Sequence, residues 1–279
     1  MQAFTLSAES PNTPKLLVQI TDLHLMDQPE SIMRHVNTDD SLRAVLDLIQ
    51  TNEDCPDLLL ATGDLAQDGS PRAYQRLSHI LGQRQWPVRC LPGNHDDPQA
   101  LKAVMGSWMQ PVTDIGAWRI ISLDSTIQGS NSGHVTQDQL DLLDSAAAQA
   151  DDRYLLIALH HNPIHGNNDF TDTMMLNNAQ ALFQRLSLIP RARILLWGHV
   201  HQAIDRRRHH VRLLSTPSTC FQFGVRDGRH VADDSPPGYR WIKLYDDGSL
   251  ATGIRRLPMD QWKLMKHRYQ TTIETPAIT

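Results

Sequence analysis

Leu16-Leu17-Val18-Gln19-Ile20-Thr21-Asp22-Leu23-His24 is a short apolar run that stops on an aspartate and a histidine. A run of this length, bounded by polar residues, reads as a strand buried on both faces. The same ending recurs along the chain. Leu58 to Ala61 leads into Gly63-Asp64, and Val88 to Leu91 into Gly93-Asn94-His95-Asp96. Tyr154 to Leu159 leads into His160-His161, and Ile194 to Trp197 into Gly198-His199-Val200-His201. Trp118 to Leu123 is a further apolar run read as a buried strand.

The segments between the runs have helical periodicity. Leu42, Val45, Leu46 and Ile49 recur at i, i+3, i+4 and i+7, with Thr38 placed as an N-cap. Tyr74, Leu77 and Leu81 share a face, and Thr136 with Gln139 has capping-box spacing ahead of Leu140, Leu143 and Ala147. Strands alternating with helices imply a largely parallel sheet. Val211 to Ser215, Tyr239 to Tyr245 and Leu250 to Ile254 read as hairpin-like additions, so the class is α/β with a mixed second sheet.

In an open α/β sheet the loops beyond the carboxyl ends of parallel strands converge on one crevice. Five polar segments therefore aim at one place. Imidazole and carboxylate without thiolate suit iron, manganese or zinc, and two metals about 3.5 to 4 Å apart need a ligand with two usable oxygens between them. Asp64 fits that bridging position. Asp22, His24 and His201 then belong to one metal, and Asn94, His160 and His199 to the other. Glycine before Asp64, Asn94 and His199 lets the chain turn sharply and approach the metals. His161, beside His160 but pointing the other way, reads as a supporting residue. One Asp-x-His is weak evidence; five such clusters in order, each at a strand end, are strong.

Composition sets the outer bounds. A chain of 279 residues fits one domain, 1–279, with a polar N-terminal segment 1–15 and a C-terminal extension 257–279, polar after Trp262 and expected to be peripheral. A net charge of -5 argues against nucleic acid as partner. No signal-like start or 18-residue apolar run is present, so no membrane partner and a cytoplasmic setting are expected, with an oligomer left open. The 3 cysteines show no CxxC spacing and read as free buried thiols, and Arg206 to His210 reads as a solvated hairpin tip.

Asp-x-His, Gly-Asp, Gly-Asn-His-Asp, His-His and Gly-His-x-His, in this order between residues 16 and 256, resemble the signature of the calcineurin-like metallophosphoesterases. Ala61 to Asp68, Leu91 to Asp96, His160 to Pro163 and Thr216 to Phe223 resemble, more narrowly, the bacterial 3',5'-cyclic-AMP phosphodiesterases of the CpdA type. The resemblance implies a four-layer α/β/β/α sandwich of two mixed sheets flanked by helices. It also implies two divalent metals, iron and/or manganese with zinc as an alternative, and hydrolysis of a small cyclic nucleotide. His95 is then free of metal duty and is the expected catalytic group, hydrogen-bonding a phosphoryl oxygen or protonating the leaving alkoxide, with Asp96 orienting it or capping the next helix. His24, Asp64, Asn94, His95 and His201 are the expected substrate contacts.

Ile164 to Asp172 departs from the Cys-Trp-Leu-Asp-type segment of that subgroup, so glycerophosphodiesters or other phosphoesters are the alternative substrates. Phe170, Phe221 and Phe223 are candidates for an apolar surface under a base. A catalytically silent metal-binding protein is the third reading, disfavoured because all seven ligand positions are filled.

Overall fold

A computed structural model describes residues 13–165, 173–226 and 229–274. In chain order the elements begin β1 (Lys15–Ile20), β2 (Ile32–Met33), β3 (Val36–Asn37), α1 (Thr38–Asn52), β4 (Leu58–Thr62), α2 (Pro71–Gly82), β5 (Val88–Leu91) and α3 (Pro98–Met105). There follow β6 (Val112–Ile115), β7 (Trp118–Ser122), α4 (Gln137–Ala148), β8 (Tyr154–Ala158), α5 (Ala179–Ser187) and β9 (Ala192–Trp197). The last elements are β10 (Ile204–Arg208), β11 (Val211–Ser215), β12 (Gln222–Arg226), β13 (Arg229–Asp233), β14 (Gly238–Leu244), β15 (Leu250–Arg256) and α6 (Met259–Glu274).

Two mixed sheets result. The first has the order β15-β14-β1-β4-β5, with β1, β4 and β5 parallel and the β14–β15 hairpin added antiparallel. The second runs β10-β11-β9-β8-β7-β6, parallel in its middle four strands and antiparallel at both edges.

Period-2 alternation then divides each strand between two cores. Val18, Ile20, Leu59 and Ala61 pack under α1, α2 and α3, whereas Leu17, Leu58 and Leu60 face the second sheet. From the other side Leu156, Ala158, Ile194 and Leu196 meet them, while Leu155, Ile157, Leu195 and Trp197 pack under α4 and α5. Three apolar seams therefore separate four layers, α/β/β/α, as the resemblance implied.

Local readings are corrected in several places. The N-cap of α1 is Asn37, not Thr38: its side-chain oxygen accepts from the Asp40 N–H at 2.9 Å, while its amide donates to Pro29 O at 2.7 Å. Thr136 caps α4, but the Gln139 side chain accepts from the Asp124 N–H at 2.9 Å instead of closing the box. The segment beyond Trp262 is not peripheral. Trp262 is buried with Val36, Cys220 and Phe221, Met265 packs beside it, and the Tyr269 hydroxyl donates to Asp40. The spacing of 262, 265 and 269 is an apolar helical stripe that the polar composition conceals. Arg206 to Arg208 lie exposed on the paired strand β10, and only His209 and His210 form the hairpin tip. Cys90 and Cys220 are buried but Cys55 is exposed, and no helix among the described residues is long and apolar enough to cross a membrane.

Candidate metal centre

Asp22 and His24 follow β1, Asp64 follows β4, Asn94 follows β5, His160 follows β8, and His199 and His201 follow β9. Parallel registers such as Ile20↔Ala61 and Thr62↔Leu91 bring these strand ends level. The centre lies where the carboxyl ends of both sheets meet. Backbone geometry is unusual there. Asp22, His24, Asp64, His199 and His201 all have positive φ, at 52°, 49°, 49°, 67° and 53°. Such residues cost on the order of 1–3 kcal/mol each and persist only where surrounding bonds hold them. Here the Asp22 N–H donates to Gly63 O at 3.0 Å, the His24 N–H to Asp64 O at 2.9 Å, and the His199 N–H to the Asp22 carboxylate at 3.0 Å. Gly63 and Gly93 are required by space. A Cβ on Gly63 would sit 2.4 Å from His160 Nδ1, and one on Gly93 2.3 Å from the Asp64 carboxylate.

Two groups of ligand-type atoms share one carboxylate. In the first, His24 Nε2 and His201 Nε2 are 3.2 Å apart, and His201 Nε2 is 3.5 Å from Asp22 Oδ1. In the second, His160 Nε2 lies 3.2 Å from Asn94 Oδ1 and 3.3 Å from His199 Nδ1. Asp64 Oδ2 reaches both, at 3.7 Å from His24 Nε2 and 3.3 Å from His160 Nε2. Asp22, His24, Asp64, His160, His199 and His201 are buried, and Asn94 is half-buried.

The hydrogen-bonding logic of this donor set fits cations. His160 Nδ1 lies 2.8 Å from Thr62 O and His201 Nδ1 2.7 Å from Phe221 O. A backbone carbonyl only accepts, so in both rings Nδ1 carries the proton and Nε2 turns a lone pair inward. His24 is anchored likewise, its Nδ1 2.8 Å from Gln67 Oε1. Lone pairs and carboxylate oxygens thus face one another with no donor between them. That costs free energy unless a cation or a proton intervenes.

Without metal, a proton takes the place. Burial alone would lower His160, but Asp64 and Asp22 outweigh it and raise its pKa to about 9. Asp22 is raised to about 7 by burial and by Asp64, against the pull of His160. Asp64 resists burial and stays well below the usual carboxylate range because of His160, His24 and His95. His24 is lowered to about 4 and His199 to about 3, in both chiefly by burial.

Metal loading must therefore expel a proton from the centre. Because that proton is bound in the metal-free state and absent in the loaded one, apparent affinity for Mn²⁺ should rise with pH and flatten above about 9. Calorimetric titration of metal-free protein in two buffers of different ionisation enthalpy measures this. Between about one and two protons released per chain at pH 7 are expected, from His160 and in part from Asp22, and an affinity independent of pH would exclude this.

His95 is half-buried at the edge of the centre. Its N–H donates to Asp64 Oδ1 at 2.9 Å, and its Nδ1 lies 3.0 Å from Gln67 O, leaving Nε2 as the free nitrogen. His24, Asp64 and His95 each place a ligand-type atom within 4.8 Å of the other two. Asp96 neither orients His95 nor caps α3. It accepts from the N–H groups of Leu65, Ala66 and Gly93 and from the Tyr74 hydroxyl, tying the Asp64 loop to the Asn94 loop, while Asp97 caps α3. His161 is buried against Ser125, its Nδ1 2.8 Å from the hydroxyl.

A cleft of about 280 Å³ opens over His24, Asp64, Asn94, His95, His199 and His201. Its outer wall is Met33, Arg34, Phe221 and Phe223, with Asn131 and Met174 opposite. Phe170 and Asp172 lie outside the described residues. Gln67, Arg34 and Asn131 were not anticipated from sequence, since no local pattern separates them from ordinary surface residues.

The model of the calcineurin-like phosphoesterase family matches residues 16–203. The 3',5'-cyclic adenosine monophosphate phosphodiesterase CpdA of Pseudomonas aeruginosa is 42% identical over 253 residues, covering 88% of this chain and 93% of that protein. Its namesake from Escherichia coli K12 is 38% identical over 245 residues, 86% of this chain and 89% of that one. Among solved structures, a dimetal phosphatase from Danio rerio superposes with a TM-score of 0.64 at 16% identity, covering 87% of this chain and 96% of that chain. The family match over residues 16–203, the shared fold and the relatives at 42% and 38% identity agree: the chain belongs to the calcineurin-like phosphoesterase family.

Proposed function

We propose that this protein is a two-metal phosphodiesterase that hydrolyses 3',5'-cyclic AMP to 5'-AMP. The observation that carries the reading is the single Asp64 oxygen within 3.7 Å of His24 Nε2 and 3.3 Å of His160 Nε2. Asp22, His24 and His201 hold one metal, Asn94, His160 and His199 the other, and Asp64 serves both. The donor set of nitrogen and oxygen without thiolate suits iron and/or manganese, with zinc as the alternative. Two such ions supply a water acidified toward neutral pH and charge to neutralise the phosphodiester. The substrate assignment follows the activity for which the relatives at 42% and 38% identity are named.

The chain's own groups do the rest. Gln67 O holds the His95 ring at Nδ1, which leaves Nε2 to hydrogen-bond a phosphoryl oxygen or to serve the departing 3'-oxygen. His24, Asp64, Asn94 and His201 flank the phosphate beside it. Phe221 and Phe223, packed with Trp262 and Met265, form an apolar wall on the base side of the cleft. Residues 1–279 act as one domain in this reading, with α6 of the 257–279 extension supporting that wall.

The deciding experiment compares cyclic AMP, cyclic GMP, glycerophosphocholine and bis-p-nitrophenyl phosphate, before and after metal removal. Cyclic AMP should have the highest kcat/KM, and chelation should abolish turnover. Mn²⁺ or Fe²⁺ should restore it better than Ca²⁺, which prefers an all-oxygen shell. Faster cleavage of glycerophosphocholine, or activity persisting in protein shown to be metal-free, would overturn the reading.

A further inference from the structure

We propose that Arg34 is a specificity-determining residue that holds the purine base of the cyclic nucleotide, its guanidinium lying between the base and the Phe221–Phe223 wall; the inference rests on the phosphodiesterase reading above. The registers Ile32↔Asn37 and Met33↔Val36 leave Arg34 and His35 as a two-residue hairpin turn. Both have positive φ, 52° and 63°. Turns with that geometry favour Asn-Gly, which adopt it without strain. Arg-His is a poor choice for the turn itself, and conflicts between local preference and structure gather at functional sites.

What the turn achieves is placement. Arg34 Cζ lies 5.4 Å from the ring centre of Phe221 and 5.4 Å from that of Phe223. The guanidinium therefore covers both rings and lines the cleft. No carboxylate among the described residues pairs with it. The hairpin cannot drift, because Val36 is buried in one cluster with Phe221 and Trp262.

The layering decides which part of the substrate Arg34 meets. His24 and His201 lie 5.6 Å and 5.1 Å from the Phe221 ring and are buried, whereas Arg34, 5.4 Å from the same ring, is exposed at the rim of the cleft. The phosphate belongs beside the buried imidazoles, which leaves the exposed guanidinium on the side of the base. A planar guanidinium stacks on a purine face as well as on an aromatic ring, which an ammonium does not.

The test uses full-length protein with two substrates: cyclic AMP and 1-deoxyribose 3',5'-cyclic phosphate, which keeps both ester bonds and lacks the base. Arg34→Ala should raise KM for cyclic AMP about tenfold with kcat little changed, in line with losses on removing base-stacking groups. The base-free substrate should be unaffected. Arg34→Lys should behave like Arg34→Ala, and so should Arg34→Gly, which relaxes the positive φ and separates loss of the guanidinium from turn strain. Unchanged KM for cyclic AMP in all three variants, or an equal loss on both substrates, would overturn the role of Arg34 alone. A wild-type enzyme that cleaves bis-p-nitrophenyl phosphate but not cyclic AMP would overturn the cyclic-nucleotide reading, and this inference with it.

Discussion

Asp64→Ala should leave the chain folded with neither metal position filled and with turnover at background. The reason is geometric: one carboxylate oxygen lies within reach of both imidazole groups, so its removal weakens two sites at once. Loss of a partner that merely orients a ligand costs 10- to 100-fold in metal affinity, so loss of a shared ligand should cost more than about 100-fold. The variant should melt at a lower temperature without unfolding, because deleting Asp64 relieves its repulsion of Asp22, whose pKa burial chiefly raises, but also removes the partner of the buried His160 imidazolium. The Asp64→Asn variant keeps the side-chain volume and an acceptor for the His95 N–H, which lies 2.9 Å from Oδ1. Elemental analysis together with a thermal melt reads the outcome. Two equivalents of metal retained in either variant would show that Asp64 does not bridge.

His95→Ala should have the opposite profile, with metal content kept and kcat reduced by about 10²–10⁴-fold, the range expected for a general acid. The ring is half-buried, and its anchoring bond to Gln67 O leaves Nε2 free toward the cleft. Its place within 4.8 Å of ligand-type atoms on His24 and Asp64 makes metal content the critical control. Depletion of metal in step with activity would make His95 a ligand. Turnover within a few-fold of wild type would remove it from the chemistry.

Much of the architecture was legible because the governing patterns are local. Apolar runs ending on a ligand-type residue read correctly as strands, and i, i+3, i+4 stripes read correctly as α1, α2 and α4. Where a reading failed, a partner distant in sequence had intervened. Asp96 was expected near His95 and instead accepts from residues 31 and 30 positions away, at Leu65 and Ala66. Trp262, in a segment of polar composition, is buried because Val36 and Phe221 fold up against it.

The sequence by itself determined the chemical identity and order of the candidate ligands, because residue type at a strand end is written locally. It also determined that each follows the end of a buried strand, whereas the sharing of those strands between two sheets emerged only from the structure. Only the tertiary structure decided how they meet. His199 donates its N–H to Asp22 across 177 residues, and His160 is anchored on Thr62 O across 98. Those contacts exist because Leu17, Leu60, Leu156 and Leu196 pack the two sheets face to face and bring their strand ends to one edge. The positive φ of five ligand-type residues, the tautomers set by backbone carbonyls, and the Arg34 turn above Phe221 and Phe223 depend on that packing. No pattern along the chain encodes them, since each follows from distances between segments that burial of apolar surface brings together.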